Sequence, residues 1–469
     1  MFPLVEIPDI VQHYAPFFAP VFSPEALQQF QRYISGLIVS ENKTVDGINR
    51  LFVLDVRNQS SLNRLLTASP FAVGALNQAR LTLWQSLPGT QMKAKGVLSL
   101  DDTLLAHYGK EFDNMAYLSD SAHKCYVWAH TLVNLHYSAD QTDYPVAFRL
   151  WEPAALDTLE TGLTAAGGPM RQSQAGLKNS EPKKWRQYLL GLWRRPQHKP
   201  EVQKLYQSKL LLAQQLLRDF CTTHPHDTFP GTFDTWYTQP AFCRFLDKTL
   251  KGPYVGPLAS DALVVWQQAP QRLEAFDAHL QQEHHQAIKD GARPSFHQWS
   301  IPYKGGQETD YSYCKTHHIH HFGKQRLVIN HRKADLSDAA LYFICNKLQW
   351  QAGGITRIRR HRWPVAVSHE EGKADGLDQY QVRDFEAISR QIALVAVTSS
   401  LLRAAPHDAA LLHKLPRQVQ TTLDGSAGSW RRNTQAQALW ALATCIAAGL
   451  SQGQTLQDVM EPLVAVLAS

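Results

Sequence analysis

The chain has 469 residues, enough for two to four domains with substantial cores. Hydrophobic residues make up 44% and charged residues 19%, with a formal net charge of +6. That balance describes a globular, mildly basic protein, for which nucleic acid is a permitted partner. Cys125, Cys221, Cys243, Cys314, Cys345 and Cys445 form no CxxC pair, so neither a zinc ribbon nor a disulfide framework is indicated. The opening "MFPLVEIPDI" lacks a basic segment followed by an apolar one, so no signal peptide is expected. The apolar run "ALWALATCIAAGL" falls short of the roughly 18–20 residues of a membrane span and reads as a buried C-terminal helix. The expected setting is the bacterial cytoplasm, with no membrane partner.

Residues 24–90 read as helices. Ser23 is a plausible N-cap for "PEALQQFQRYISGLIV", with Pro24 at the first helical position, and "SSLNRLL" and "ALNQARLTLWQSL" repeat the apolar 3–4 spacing. From Lys95 the character changes. "GVLSLDD", "KCYVWAHTLVNLHYS" and "YPVAFRLWEP" predict three successive antiparallel strands. Residues 164–200 read as a flexible basic excursion. Lys183, Lys184, Arg186, Arg194 and Arg195 lie in it, and Lys178, Lys199 and Lys204 extend the basic run. An amphipathic helix is predicted over 200–220. A strand at "TFPGTFD", a helix at "QPAFCRFLDKTL" and a strand at "YVGPLAS" follow. Short strands recur over 293–345, and helices return from Pro364 almost to the end.

Two carboxylate positions stand out. Asp101 and Asp102 end the first predicted strand in "SLDDT", and Asp234 ends a later one in "TFDTW". Aspartate at a strand end is ordinarily a turn former. Carboxylates from two strand ends that converge at one sheet edge instead offer hard oxygen ligands suited to Mg²⁺ or Mn²⁺. Two such ions can activate an attacking oxygen and stabilise the leaving one in phosphodiester cleavage. A third carboxylate, often from a helix, usually completes such a site. A second basic cluster, Arg359, Arg360 and Arg362, sits in "RRHRWPVAVSHEEGK".

These motifs together resemble the bacterial insertion-sequence DDE transposases of the Tyr–Arg–Glu–Lys signature group. Arg362 and Lys373 fit the signature spacing, and "SLDDT" resembles the first-Asp strand, favouring Asp101 over Asp102. "FDTWYTQPAFCRFLDKTLKGPYVGPL" resembles the second-Asp region, and "FQRYISGLIVSENKTVDGINRLF" the N-terminal region. The resemblance spans residues 24–400. It implies an α/β protein: an N-terminal helical DNA-binding domain (1–92), an RNase H-like core (93–290, with the basic loop 164–200, and 346–400), a β-rich insertion (291–345) and a C-terminal helical region (401–469). It further implies a two-metal Mg²⁺ or Mn²⁺ site, Asp101 and Asp234 as ligands, and a homodimer acting on double-stranded DNA. Transposon ends would be cleaved and joined to target DNA. Phosphate contacts would fall to Arg359, Arg360, Arg362, Lys373 and the 183–195 cations.

Two positions depart from the signature: its Tyr is Arg359 and its Glu is Ala366. Alanine offers no metal-binding oxygen. Glu370 lies one turn on, about 6 Å along the axis, too far for a metal site to accept in exchange. The loss reads as natural degeneration or deliberate replacement, and the intact neighbourhood favours the second. The helix is expected to run from Pro364 to about Asp375, stopped by Gly376, with 366, 370 and 373 on one face. The chain as written is therefore expected to bind DNA and cut it poorly. A DNA-binding regulator derived from a transposase, and a nuclease that cuts without joining, are the competing readings. Cys314, His317, His318, His320 and His321 lack the separated ligand pairs of a zinc module and read as a DNA-facing polar strand. Trp236 and Tyr237 read as core packing, and Arg360 and His361 as phosphate contacts or solvated groups.

Overall fold

A computed structural model describes residues 3–468 apart from 69–70, 110, 121, 168–169, 196–198, 304 and 416. The N-terminal part is helical, with helices at Asp9–Phe18, Pro24–Val39, Ser60–Thr67 and Val73–Ser86. Ser23 caps the second as its sequence suggests, its Oγ accepting the Ala26 N–H at 3.3 Å. These helices close around the long Phe385–Ala404 helix, which buries Ile388, Ile392, Leu394 and Leu401 among Phe30, Ile34 and Leu66. By length and apolarity Phe385–His407 matches a membrane span, but 72% of its apolar 18-residue window is buried inside the protein, as in a core helix.

Twelve strands among the described residues form one mixed sheet, making the protein α/β. They are β1 (Val97–Ala106), β2 (Ala116–Asp120), β3 (Cys125–Ser138), β4 (Asp143–Trp151), β5 (Gly231–Phe233), β6 (Tyr254–Leu258), β7 (Leu263–Trp266), β8 (Ala269–Arg272), β9 (His297–Tyr303), β10 (Gly306–Ile319), β11 (Gly323–His331) and β12 (Leu341–Cys345). The sheet runs β2-β3-β1-β5-β6-β12-β11-β10-β7-β8, with β4 on β3 and β9 on β10. The three strands predicted from Lys95 onward are β1, β3 and β4, antiparallel as expected. β5 and β6 then run parallel to β1.

Side-chain alternation along β1 and β3 feeds two cores. Leu100, Val133 and Leu135 join the core shared with the Lys209–Thr223 helix, whereas Leu105 and Leu132 join the core of the N-terminal helices. The Trp363–Ala374 helix packs against β1, β3 and β4. The Ala352–Arg360 helix buries Ile355 and Ile358 against Val255, Val328 and Phe343.

Three sequence expectations change. Residues 164–200 are not one flexible loop. They hold the Pro182–Arg194 helix, whose Trp185, Leu189 and Trp193 pack on Leu159 and Leu163 in a small core of their own. The basic run conceals that apolar stripe. The helix predicted over 200–220 is broken after Gln203, and Ser208 caps a new start, its Oγ accepting the Leu211 N–H. The "ALWALATCIAAGL" run lies in the Ala427–Ser451 helix but is largely exposed: Trp440 is 78% accessible, and Leu439 and Leu450 are also in solvent. Apolar content gave the helix, but among the described residues nothing covers the side that carries Leu439, Trp440 and Leu450.

Candidate active site

The site begins at the β1–β5 pair. The parallel register sets Leu100 against Phe233. Asp234 follows the end of β5 as expected, but Asp101 and Asp102 do not end their strand: β1 stays paired with β3 as far as Ala106 and carries both acids mid-strand. Adjacent residues on a strand face opposite ways, so Asp101 and Asp102 part company. Asp101 Oδ2 accepts from Arg362 Nη1 at 3.0 Å, from the start of the Trp363–Ala374 helix. Asp102 is held on the other side, by Lys209 Nζ at 2.8 Å and by the Tyr237 hydroxyl at 2.9 Å. Both Asp102 oxygens thereby accept a hydrogen bond, and so do both Asp101 oxygens, since Asp101 Oδ1 takes the Asp102 N–H at 3.0 Å. Asp234 Oδ1 accepts the Tyr237 N–H at 3.0 Å, and its carbonyl accepts the Thr238 hydroxyl, fixing the turn after β5.

Burial dominates the electrostatics. It pushes the Asp101 carboxyl up to about 6, with Asp234 and Asp102 adding repulsion and Arg362 opposing. Asp234 is raised as well, first by burial and then by Asp102. The pair is a desolvated, mutually repelling anionic centre. Tyr237, fully buried beside three carboxylates, has its phenol held far above its ordinary range by burial first.

The helix that should supply a third ligand forms where the sequence places it, at Trp363–Ala374, and Gly376 follows with φ +103. Its buried stripe is Val365, His369 and Gly372. Ala366 lies at the edge of that stripe, half-buried, one turn beyond Arg362. Glu370 points away: it is 74% exposed and paired with Lys373 at 3.0 Å. Its carboxylate is committed to the surface and does not replace the missing one. Asp101 and Asp234 together offer oxygens for one divalent ion. Ala366 contributes none for a second, and among the described residues no group of three or more His, Cys, Asp or Glu is arranged to hold a metal.

The basic cluster does not act as one surface. Arg360 is committed to Asp310 at 2.8 Å and Glu308 at 3.1 Å. His361 is fully buried, with Nδ1 2.8 Å from Ser138 Oγ, so it is neither solvated nor a phosphate contact. The helix end folds both inward because the 297–319 strands pack across it. Arg359 is half-buried, with Phe343 beneath its guanidinium at 5.8 Å. Of the 183–195 cations, Lys184 pairs with Glu181, and Arg194 and Arg195 are exposed. Arg186 is half-buried, and the Lys183 side chain lies outside the described residues.

Trp236 and Tyr237 divide. Tyr237 is core, but Trp236 is 44% exposed, with Lys209 Nζ 4.6 Å from its ring centre. Of the histidine-rich strand, His317 is bonded to the Tyr313 hydroxyl, while His320 and His321 sit in the turn after β10. Lys209 and His369 escape a sequence reading. Lys209 lies 107 positions from Asp102. His369 is buried to the point that its imidazole falls to about 3, and only its place on the inward stripe of the helix hints at that. No protein-family model matches the chain, and no curated protein matches it either.

Proposed function

We propose that this protein is a DNA transposase of the insertion-sequence type that binds the ends of its element and, as written, cuts them poorly. The observation that carries the reading is the parallel pairing of Leu100 with Phe233, which sets Asp101 and Asp234 on neighbouring strand paths, with Arg362 of the flanking helix 3.0 Å from Asp101. The order β4-β3-β1-β5-β6, three strands antiparallel and the rest parallel, is that expected of an RNase H-like core and supports it. Asp101 and Asp234 would hold Mg²⁺ or Mn²⁺, whose chemistry is to lower the pKa of a bound oxygen nucleophile and stabilise developing charge. Arg362 orients Asp101, and Lys209 with Tyr237 holds Asp102.

The partner is double-stranded DNA, with Arg194, Arg195 and Lys373 among the phosphate contacts. The uncovered apolar side of the Ala427–Ser451 helix supports a homodimer, in which one copy would cover the other's Trp440. Ala366 also favours a second reading, a transposase-derived DNA-binding regulator that performs no chemistry. Selection of bound duplexes from a random pool, followed by cleavage assays with the parent chain and Ala366→Glu, tests both. Sequence-selective binding with cleavage gained by Ala366→Glu is expected. Binding without cleavage by either chain favours the regulator, and no selective binding refutes both.

A further inference from the structure

Arg359 lies in the last turn of the Ala352–Arg360 helix, where an arginine is ordinarily solvated and stabilised by the helix dipole. Here it is half-buried. Its Nε has no hydrogen-bond partner, and among the described residues no carboxylate pairs with its guanidinium. A buried cation without a partner is costly, so its neighbours matter. The charges acting on it are those of Arg362, Asp234 and Asp101, and burial pulls it down to about 10. It lines a cavity of about 620 Å³ together with Trp363, Thr235, the residue after Asp234, and Arg362, which bonds Asp101. Of the cations there, Arg360 is satisfied by Asp310 and Glu308, and Arg362 spends one nitrogen on Asp101. Arg359 spends none.

The two departures from the signature change the charge in the same direction. Arginine at 359 adds a positive charge beside the acid pair, and alanine at 366 removes a negative one. Asp101 and Asp234 are then balanced by Arg359 and Arg362, where a divalent ion needs net negative charge. We propose that Arg359 is a built-in counter-ion of the acid pair: it weakens divalent-cation binding there and, with Arg362, seats a DNA phosphodiester without a metal. Planar guanidinium forks suit a phosphate bidentately, and Arg359 and Arg362 line the same cavity. The phosphate half of this inference rests on the DNA-end reading; the cation half does not.

The test uses the full chain and Arg359→Gln, Arg359→Tyr and Arg359→Lys. Each is titrated with Mn²⁺ alone, read by the paramagnetic resonance of the free ion, and with fluorescent duplex in EDTA. Removing one charge beside the pair should tighten Mn²⁺ binding by about tenfold in the Gln and Tyr variants, and Lys should leave it unchanged. Duplex affinity in EDTA should fall about tenfold in Arg359→Gln and be largely kept by Arg359→Lys, since hydrogen bonds to charged groups carry that order of effect. Unchanged Mn²⁺ affinity in the Gln and Tyr variants overturns the counter-ion role. Unchanged duplex affinity in Arg359→Gln overturns the phosphate seat. A parent chain that binds no duplex at low salt refutes the DNA-end reading and the phosphate seat with it, while the Mn²⁺ titration still decides the counter-ion role.

Discussion

Arg362 and Asp101 stand 261 residues apart in sequence and 3.0 Å apart in space, joining the start of the Trp363–Ala374 helix to the middle of β1. The side chains are only 20% and 13% accessible, so this is a mostly desolvated pair. Breaking such a pair leaves an uncompensated buried charge. Arg362→Ala is expected to lower unfolding free energy by about 2–3 kcal/mol in urea denaturation, somewhat below the value for a fully buried pair. It should also move the Asp101 carboxyl still higher, which carbon-detected NMR titration reads directly.

Asp101 gives a pH dependence with a definite sign. Its carboxyl is raised from 3.8 to about 6 on folding, mainly by burial. Between those values the folded state holds the proton more tightly than the unfolded chain, so stability falls as pH rises through that window. Above it the folded protein carries the charged group at a cost of order 1–3 kcal/mol. Asp101→Asn should therefore unfold later than the parent at pH 7–8, and the gap should close toward pH 4. A gap that widens toward low pH would mean that the carboxyl is depressed instead.

Ala366→Glu adds a carboxylate to the helix edge one turn beyond Arg362. It is expected to bring Mg²⁺-dependent end cleavage up by about a thousandfold or more, several kcal/mol of transition-state stabilisation, with DNA affinity nearly unchanged. A cleavage assay on labelled end duplex compares the two chains. Full-rate cutting by the parent would mean that another acid completes the site. Because Arg359 opposes the added charge, Arg359→Tyr combined with Ala366→Glu should cut faster than Ala366→Glu alone.

The Ala427–Ser451 helix leaves Trp440, Leu439 and Leu450 in solvent. Trp440→Glu should shift sedimentation from dimer toward monomer, leaving the melting temperature of the dilute protein within about 2 °C, since an exposed position contributes little to the folded chain itself. A parent that sediments as a monomer at all concentrations would remove the homodimer from the proposal.

The sequence by itself determined what depends on near neighbours. Ser23 and Pro24 start a helix, Pro364 and Gly376 bracket another, and alternation marks β1, β3 and β4, because caps, turns and strand periodicity act within a few residues. It also singled out Asp101, Asp234 and position 366 as the candidate site. Tertiary structure decided which charges are free. Asp102, next to Asp101, faces the other way and is taken by Lys209 and Tyr237. In the cluster Arg359–Arg362, Arg360 is neutralised by Asp310, Arg362 by Asp101, and half-buried Arg359 keeps an enclosed Nε without a hydrogen-bond partner. Pairing and desolvation are set by whatever distant strand or helix packs alongside, and a string of neighbouring cations cannot reveal them. The same reason hid the apolar stripe of the Pro182–Arg194 helix beneath a basic run, and exposed a C-terminal helix whose composition alone suggested a core.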